Sequence, residues 1–210
     1  MLFRDREDAG RQLSRRLERY RADPDAGVLG IPRGGIVVGA AIARELHRPL
    51  GVCAVHKLGA PGNPELAIGA VDDEGATIVD WSLLRRLEVT DQALEVEVER
   101  QRRELQRWVG DVAQGRTALV PSTAIIVDDG IATGATARAA VQATRRRGAR
   151  RLILAVPVAP AETARALEAL VDEWVCLATP EPFFAVGNFF EEWPQVTDEE
   201  VRSLLEAAAP

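Results

Sequence analysis

Four short runs are apolar almost throughout: residues 28–31 (VLGI), 123–127 (TAIIV), 152–156 (LILAV) and 174–177 (WVCL). A strand that carries no polar face has two faces to bury, which points to a sheet covered on both sides. Helical patterns separate the runs, at residues 35–46, 134–147 and 161–171. Strands alternating with helices in this way specify the α/β class, a central parallel sheet flanked by helices.

The chain has 210 residues, enough for one sizeable core and a small appendage, so residues 1–210 are expected to form a single domain. The beginning, MLFRDREDAG, is charged almost from the start, unlike a secretory leader. The longest apolar run, residues 34–43, is too short to span a bilayer. Cys53 and Cys176 lie far apart in apolar surroundings and read as buried, reduced thiols. The expectation is a cytoplasmic protein with no membrane partner. A net charge of −6 argues against a non-specific nucleic-acid binder, while leaving room for a local cationic pocket.

Other elements fall around this frame. Residues 5–20 read as an opening helix with Leu13, Leu17 and Tyr20 on one face. Residues 50–56 read as a strand, 66–71 and 77–79 as a hairpin around Asp72-Asp73-Glu74-Gly75, and 91–109 as a long helix striped by Leu94, Val98, Leu105 and Trp108. Gly148 is expected to stop the helix at 134–147. Parallel sheets of this kind bind ligands past the carboxyl ends of their strands. That selects the loops at 31–35, 57–66 and 128–136, and the segment after 178.

The loop after residue 127 reads VDDGIATGAT from Val127. Ala132, Thr133, Gly134, Ala135 and Thr136 lie where a strand passes into a helix, whose first amides have no internal partner and carry the positive end of its dipole. A glycine permits close approach of an anion, and two threonines add hydroxyl donors, which together make a phosphate seat. No Gly-Lys-Ser/Thr follows and no G-x-G-x-x-G is present, so neither a Walker loop nor a dinucleotide fingerprint applies. A threonine-capped strand-to-helix turn is the plainer alternative. Asp128 and Asp129, immediately upstream, repel a bare phosphate but accept hydrogen bonds from vicinal hydroxyls. A ribose 5-phosphate reconciles the two halves, with the diol on the carboxylates and the phosphate on the helix tip.

VDDGIATGAT resembles the signature of the type I phosphoribosyltransferases, two acidic residues followed by a T-G-x-T/S loop. The resemblance implies 5-phosphoribosyl 1-diphosphate as donor, with Asp128 and Asp129 on the ribose hydroxyls and Ala132 to Thr136 on the 5′-phosphate. It also implies that the loop after the first core strand takes the diphosphate, which assigns that role to Arg33, Gly34 and Gly35 in GIPRGG. This family loop often contains an unusual peptide bond. Lys57 is the sole lysine among 26 basic residues, and it opens the Gly-, Pro- and Asn-rich stretch KLGAPGNPE. That composition after a strand reads as a mobile loop. The resemblance makes it the flexible catalytic loop, about residues 57–76, with Lys57 reaching the leaving diphosphate. His56 reads as a packed strand residue. VHKLGAPGNPELAIGAV, GIPRGG and PFFAVGNFFEEWPQVTDEEV together resemble a bacterial subgroup of predicted phosphoribosyltransferases.

The implied reaction moves ribose 5-phosphate from 5-phosphoribosyl 1-diphosphate to a small-molecule nitrogen acceptor, with a nucleobase expected, and releases diphosphate. Arg33, Lys57, Asp128 and Asp129 form the implied catalytic set, and Mg²⁺ the implied cofactor, held mainly by ligand oxygens with the two aspartates reaching it through water. A homodimer is compatible with the resemblance. Enzymes for 6-oxopurines place an acid three residues after the second carboxylate; Ala132 stands there, which points away from hypoxanthine and guanine. Adenine- and uracil-type acceptors, and nucleophiles needing no base, stay open. Acceptor choice is expected in a hood built from about residues 1–25 and 179–210. There Phe183 and Phe184 are candidate stacking residues, and with Phe189, Phe190 and Trp193 they also read as filling a small separate core.

Two alternatives belong to other classes. Arg145, Arg146 and Arg147 with Arg150 and Arg151 suit a phosphosugar-sensing regulator that binds nucleic acid, although a helix C-terminus favours cations on a solvated face. A metal-dependent phosphosugar or nucleotide hydrolase would use the carboxylate pair for metal.

Overall fold

A computed structural model describes residues 1–208. The strands are β1 (Ala26–Gly30), β2 (Leu50–Val52), β3 (Val55–Ala60), β4 (Asn63–Asp72), β5 (Thr77–Val79), β6 (Thr123–Val127), β7 (Arg151–Val158) and β8 (Glu173–Ala178). The helices are α1 (Arg6–Arg16), α2 (Gly34–Leu46), α3 (Trp81–Arg86), α4 (Asp91–Trp108), α5 (Ala135–Arg146), α6 (Ala161–Glu168) and α7 (Asp198–Ala207). The central sheet is parallel, in the order β2-β1-β6-β7-β8. Its strands are the apolar runs, and their period of two divides them between two cores. Val28, Ile125, Val127, Ile153 and Ala155 face Leu13 and Leu17 of α1, Ile36 and Ile42 of α2, and Val201 and Leu205 of α7. Leu29, Ile126, Leu152 and Leu154 face the alanine-rich side of α5 and Leu167 of α6. The helix expected at 134–147 ends at Arg146, and Gly148 follows at φ 102°, a left-handed stop suited to glycine.

The strand expected at 50–56 is two strands in different sheets. β1 has its last parallel partner at Gly30↔Val52, and the Cys53 amide closes onto the Gly30 carbonyl. Ile31 pairs instead with Val127, so β2 runs out of partner and the chain leaves the sheet. It re-enters as β3 of a three-stranded antiparallel sheet, β3-β4-β5. The stretch read as a loop at 57–66 is largely the hairpin of β3 and β4, turning at Pro61-Gly62 with Gly62 at φ 78°. Propensity alone misses this, because the glycines sit at register irregularities beside Leu58, Gly59 and Ala60. What holds the hairpin is tertiary: Leu58, Ala60, Ile68 and Val71 bury against Leu84 of α3 and Leu94 of α4. β4 and β5 pair around the acidic turn.

The opening residues meet the segment at 189–192. Leu2 and Phe3 donate to the Phe189 carbonyl, and Glu191 and Glu192 donate back to Phe3 and Arg4. Phe3 and Phe190 form a small core with Ala9 and Val158, flanked by Phe183, Val186 and Phe189. Helices α1 and α7, by contrast, bury their stripes in the main core. Among the described residues no helix is long and apolar enough to cross a membrane.

Candidate active site

Asp128 and Asp129 follow the last residue of β6, at the carboxyl edge of the sheet. The Asp129 amide donates to Asp128 Oδ1 at 2.9 Å, which fixes the first carboxylate over the second peptide. Asp129 Oδ2 accepts from Arg6 Nε at 2.7 Å. Burial pushes both carboxyls above their ordinary range. Asp128 goes further, because the charge of Asp129 adds to its desolvation, whereas the guanidinium of Arg6 draws Asp129 back.

Beyond the carboxylates the chain turns through Gly130, at φ 154°, and Ile131 is buried. Ala132 and Thr133 are exposed at the loop's crest. Gly134 caps α5 at φ 79°, ψ 4°, a left-handed conformation that turns the chain into the helix. The Arg138 amide closes onto the Gly134 carbonyl at 2.9 Å, so the amides of Ala135, Thr136 and Ala137 precede the helix's own ladder. The loop is braced from outside, since Thr163 Oγ1 donates to the Ala132 carbonyl at 2.9 Å. These amides and the two threonines share a strand-to-helix connection with the carboxylate pair, and open amides at a helix start are suited to an anion.

The loop between β1 and α2 lies against this connection. Its Pro32–Arg33 peptide is cis. A Cβ on Gly34 would stand 1.8 Å from Asp129 Oδ2, and one on Gly35 would stand 2.4 Å from the Val127 carbonyl oxygen. Both glycines therefore provide clearance; Gly34 is partly exposed and Gly35 is buried. Arg33 is exposed and its Nε donates to Asp198 Oδ1 at 2.6 Å, at the start of α7. Trp108 Nε1 donates to the same oxygen at 2.8 Å.

Lys57 sits in β3 opposite Ala70. Strand alternation places it on the face shared with Val55 and Ala70, toward α5, while Leu58 faces α4. His56, on the α4 side, has Nδ1 3.2 Å from Gln101 Oε1, and burial lowers its pKa. A groove of about 520 Å³ lies between this sheet and the start of α5, lined among others by Gly69, Arg86, Thr133 and Arg138.

Most of the aromatic cluster packs on itself. Ring centroids lie 5.3 Å apart for Phe3 and Phe190, 5.0 Å for Phe183 and Phe189, and 4.6 Å for Phe190 and Trp193. Phe184 stands outside, 80% exposed. The arginine run at the end of α5 is the solvated face expected at Arg145, Arg146, Arg150 and Arg151, which are exposed, while Arg147 is half-buried. Arg146 pairs with Asp72, Arg147 with Asp73 at 3.0 Å and Glu74 at 2.9 Å, and Arg145 with Asp172 at 3.5 Å. Arg146 and Arg147 clamp the β4–β5 turn, so the charge of both is largely matched by its acids.

Arg6 is the site residue that sequence reading passed over. It is 8% exposed and lies on the buried stripe of α1 with Ala9 and Leu13. A cation at i before apolar residues at i+3 and i+7 is the signal that was there to be read.

A family model described as "Phosphoribosyl transferase domain" matches residues 4–187. Two Mycobacterium tuberculosis proteins named "Putative phosphoribosyl transferase", Rv0571c in strain ATCC 25618 / H37Rv and MT0597 in strain CDC 1551 / Oshkosh, are each 43% identical over 210 residues, covering 99% of this chain and 47% of theirs. The chain thus spans about half the length of the curated relatives it matches. The crystal structure of TT1426 from Thermus thermophilus aligns with a TM-score of 0.82 at 40% identity, covering 100% of both chains.

Proposed function

The chain belongs to the phosphoribosyl transferase family, and from that premise we propose that it transfers ribose 5-phosphate from 5-phosphoribosyl 1-diphosphate to a nitrogen on a small acceptor, releasing diphosphate. The observation that carries this reading is the placement of Asp128 and Asp129 one short loop before the open amides of α5. Carboxylates there accept from the 2′- and 3′-hydroxyls, and the amides of Ala135 and Thr136 with the Thr133 and Thr136 hydroxyls hold the 5′-phosphate. The backbone of Gly34 and Gly35 and the fork of Arg33 take the diphosphate, and Lys57 approaches it from the opposite sheet.

The chemical step breaks the bond from C1 to the diphosphate oxygen, and the acceptor nitrogen then bonds to C1. The chain's part is to fix the sugar, supply positive charge where the leaving oxygens gain negative charge, and keep water from C1. The two adjacent carboxylates, Asp128 and Asp129, would suit Mg²⁺ carried on ligand oxygens and reached through water. When bound it makes diphosphate a less basic leaving group. Ala132 has no proton-accepting side chain, which favours acceptors whose nitrogen is nucleophilic without a base at that position.

The test is a panel of nucleobases and small amines incubated with donor and Mg²⁺, followed by diphosphate release and the mass of the product. Acceptor-dependent release with a ribosylated product supports the reading. Orthophosphate or diphosphate release without incorporation of any acceptor overturns it in favour of a hydrolase.

A further inference from the structure

We propose that Arg6 is a positioning residue for the sugar-binding carboxylate Asp129, and that Trp193 sets Arg6 in place. This rests on the reading of Asp129 as a ligand of the pentose hydroxyls.

Four distant segments converge here. Arg6 Nε donates to Asp129 Oδ2 at 2.7 Å, a second guanidinium nitrogen donates to the Pro194 carbonyl at 2.8 Å, and the guanidinium carbon lies 3.5 Å from the centroid of the Trp193 ring. The carboxylate reaches Arg6 only because Gly34 has no side chain, since a Cβ there would overlap Asp129 Oδ2 at 1.8 Å. Arg6 and Asp129 side chains are 10% and 17% exposed, so each depends on the other for charge compensation.

The geometry requires an arginine. One planar group must stack its face on an indole while its edge donates in two directions, which a point charge on a flexible stem cannot do. Trp193 is itself held by Phe190, which the Phe3 segment pairs and packs, so the guanidinium is anchored from outside the sheet. A carboxylate gripped at Oδ2 keeps Oδ1 at a defined angle to accept from a diol. The aromatic cluster thereby acts on the sugar through Arg6, whatever the acceptor is.

The experiment measures calorimetric affinities of the full chain for ribose 5-phosphate and for Mg²⁺-diphosphate, in wild type, Arg6→Met, Arg6→Lys and Trp193→Ala. Loss of one charge-assisted positioning contact should weaken ribose 5-phosphate about tenfold in Arg6→Met and in Trp193→Ala, with a partial return in Arg6→Lys. Diphosphate affinity should fall clearly less than sugar affinity: Arg33 and Gly34 share a groove with Arg6 and Trp193, but the Arg6 bond goes to the sugar carboxylate; general loosening of the fold would weaken both ligands alike. Millimolar methylguanidinium should restore sugar binding to Arg6→Met. If Arg6→Met does not fold, Arg6→Lys and Trp193→Ala carry the same comparison. Equal sugar affinity in wild type and the folded variants, or parallel loss of both ligands, overturns the positioning role and leaves the proposed function standing. A wild type that binds no ribose 5-phosphate overturns both.

Discussion

Arg33, at the mouth of the loop that would receive diphosphate, donates to Asp198 at 2.6 Å. The guanidinium, with Trp108 as second donor, holds the Asp198 carboxyl below its ordinary range. Both side chains are nearly half exposed, so the pair is worth little to the fold. It nevertheless competes with any anion for Arg33. Asp198→Asn keeps an acceptor for Trp108 and removes the charge, and is expected to tighten diphosphate binding roughly two- to fivefold, the scale of an exposed ion pair. Calorimetry reads this directly. Unchanged affinity would mean that Arg33 does not leave Asp198 for the ligand.

Gly34 separates two roles that sequence cannot tell apart, exposing an amide and giving way to a neighbour. Alanine keeps the amide and adds the Cβ that would fall 1.8 Å from Asp129 Oδ2. Gly34→Ala should therefore displace the carboxylate from Arg6 and weaken ribose 5-phosphate by about tenfold or more, the cost of breaking a buried charge pair. Diphosphate binding should suffer less. If diphosphate alone is lost, the glycine serves the amide and the clearance argument fails.

At Gly134 the strain is local. Its φ of 79° is unfavourable to any L side chain, and a Cβ would press on Thr163 Cγ2 at 2.9 Å, the residue that braces Ala132. Gly134→Ala is expected to cost about 1–2 kcal/mol of stability from the left-handed backbone, and to lower phosphate affinity further by moving the seat. A denaturant titration and a ribose 5-phosphate titration of the same variant check both parts; a stable variant with intact binding would place the phosphate elsewhere.

The sheet and the carboxylate-to-helix connection were readable because each rests on local chemistry: an apolar run, a turn glycine, unpaired amides. What was not readable depends on partners far away. Residues 50–56 look like one strand, and only the exhaustion of β1 at Gly30 splits them between sheets. Residues 57–66 look like a loop, and the burial of Leu58 and Ile68 against α3 and α4 makes most of them a hairpin. The arginines after Thr144 read as solvated and most are, but their pairing could not be read: the acids of the β4–β5 turn meet Arg146 and Arg147 because the second sheet docks on α5. Arg6 pairs with a residue 123 positions away. The period of α1 marks Arg6 as inward-facing, but nothing in the sequence names its partner.

Cys53 gives a pH dependence with a determined sign. Its thiol is buried beside Thr144, with Sγ 3.6 Å from Oγ1, and burial pushes its pKa from an ordinary 9.0 to about 11. Below pH 9 folded and unfolded chains both hold the proton, and the group is silent. Between pH 9 and 11 only the unfolded chain releases it, so the native state loses stability as pH rises through that window. Cys53→Ala should flatten that part of the stability curve measured by denaturant titration, at the cost of the packing the sulfur provides. At pH 8 the folded thiolate fraction is roughly one in a thousand, and the site is closed to solvent, so iodoacetamide should label Cys53 only on unfolding. Rapid labelling in the native protein at pH 8 would show that the segment between β2 and β3 opens.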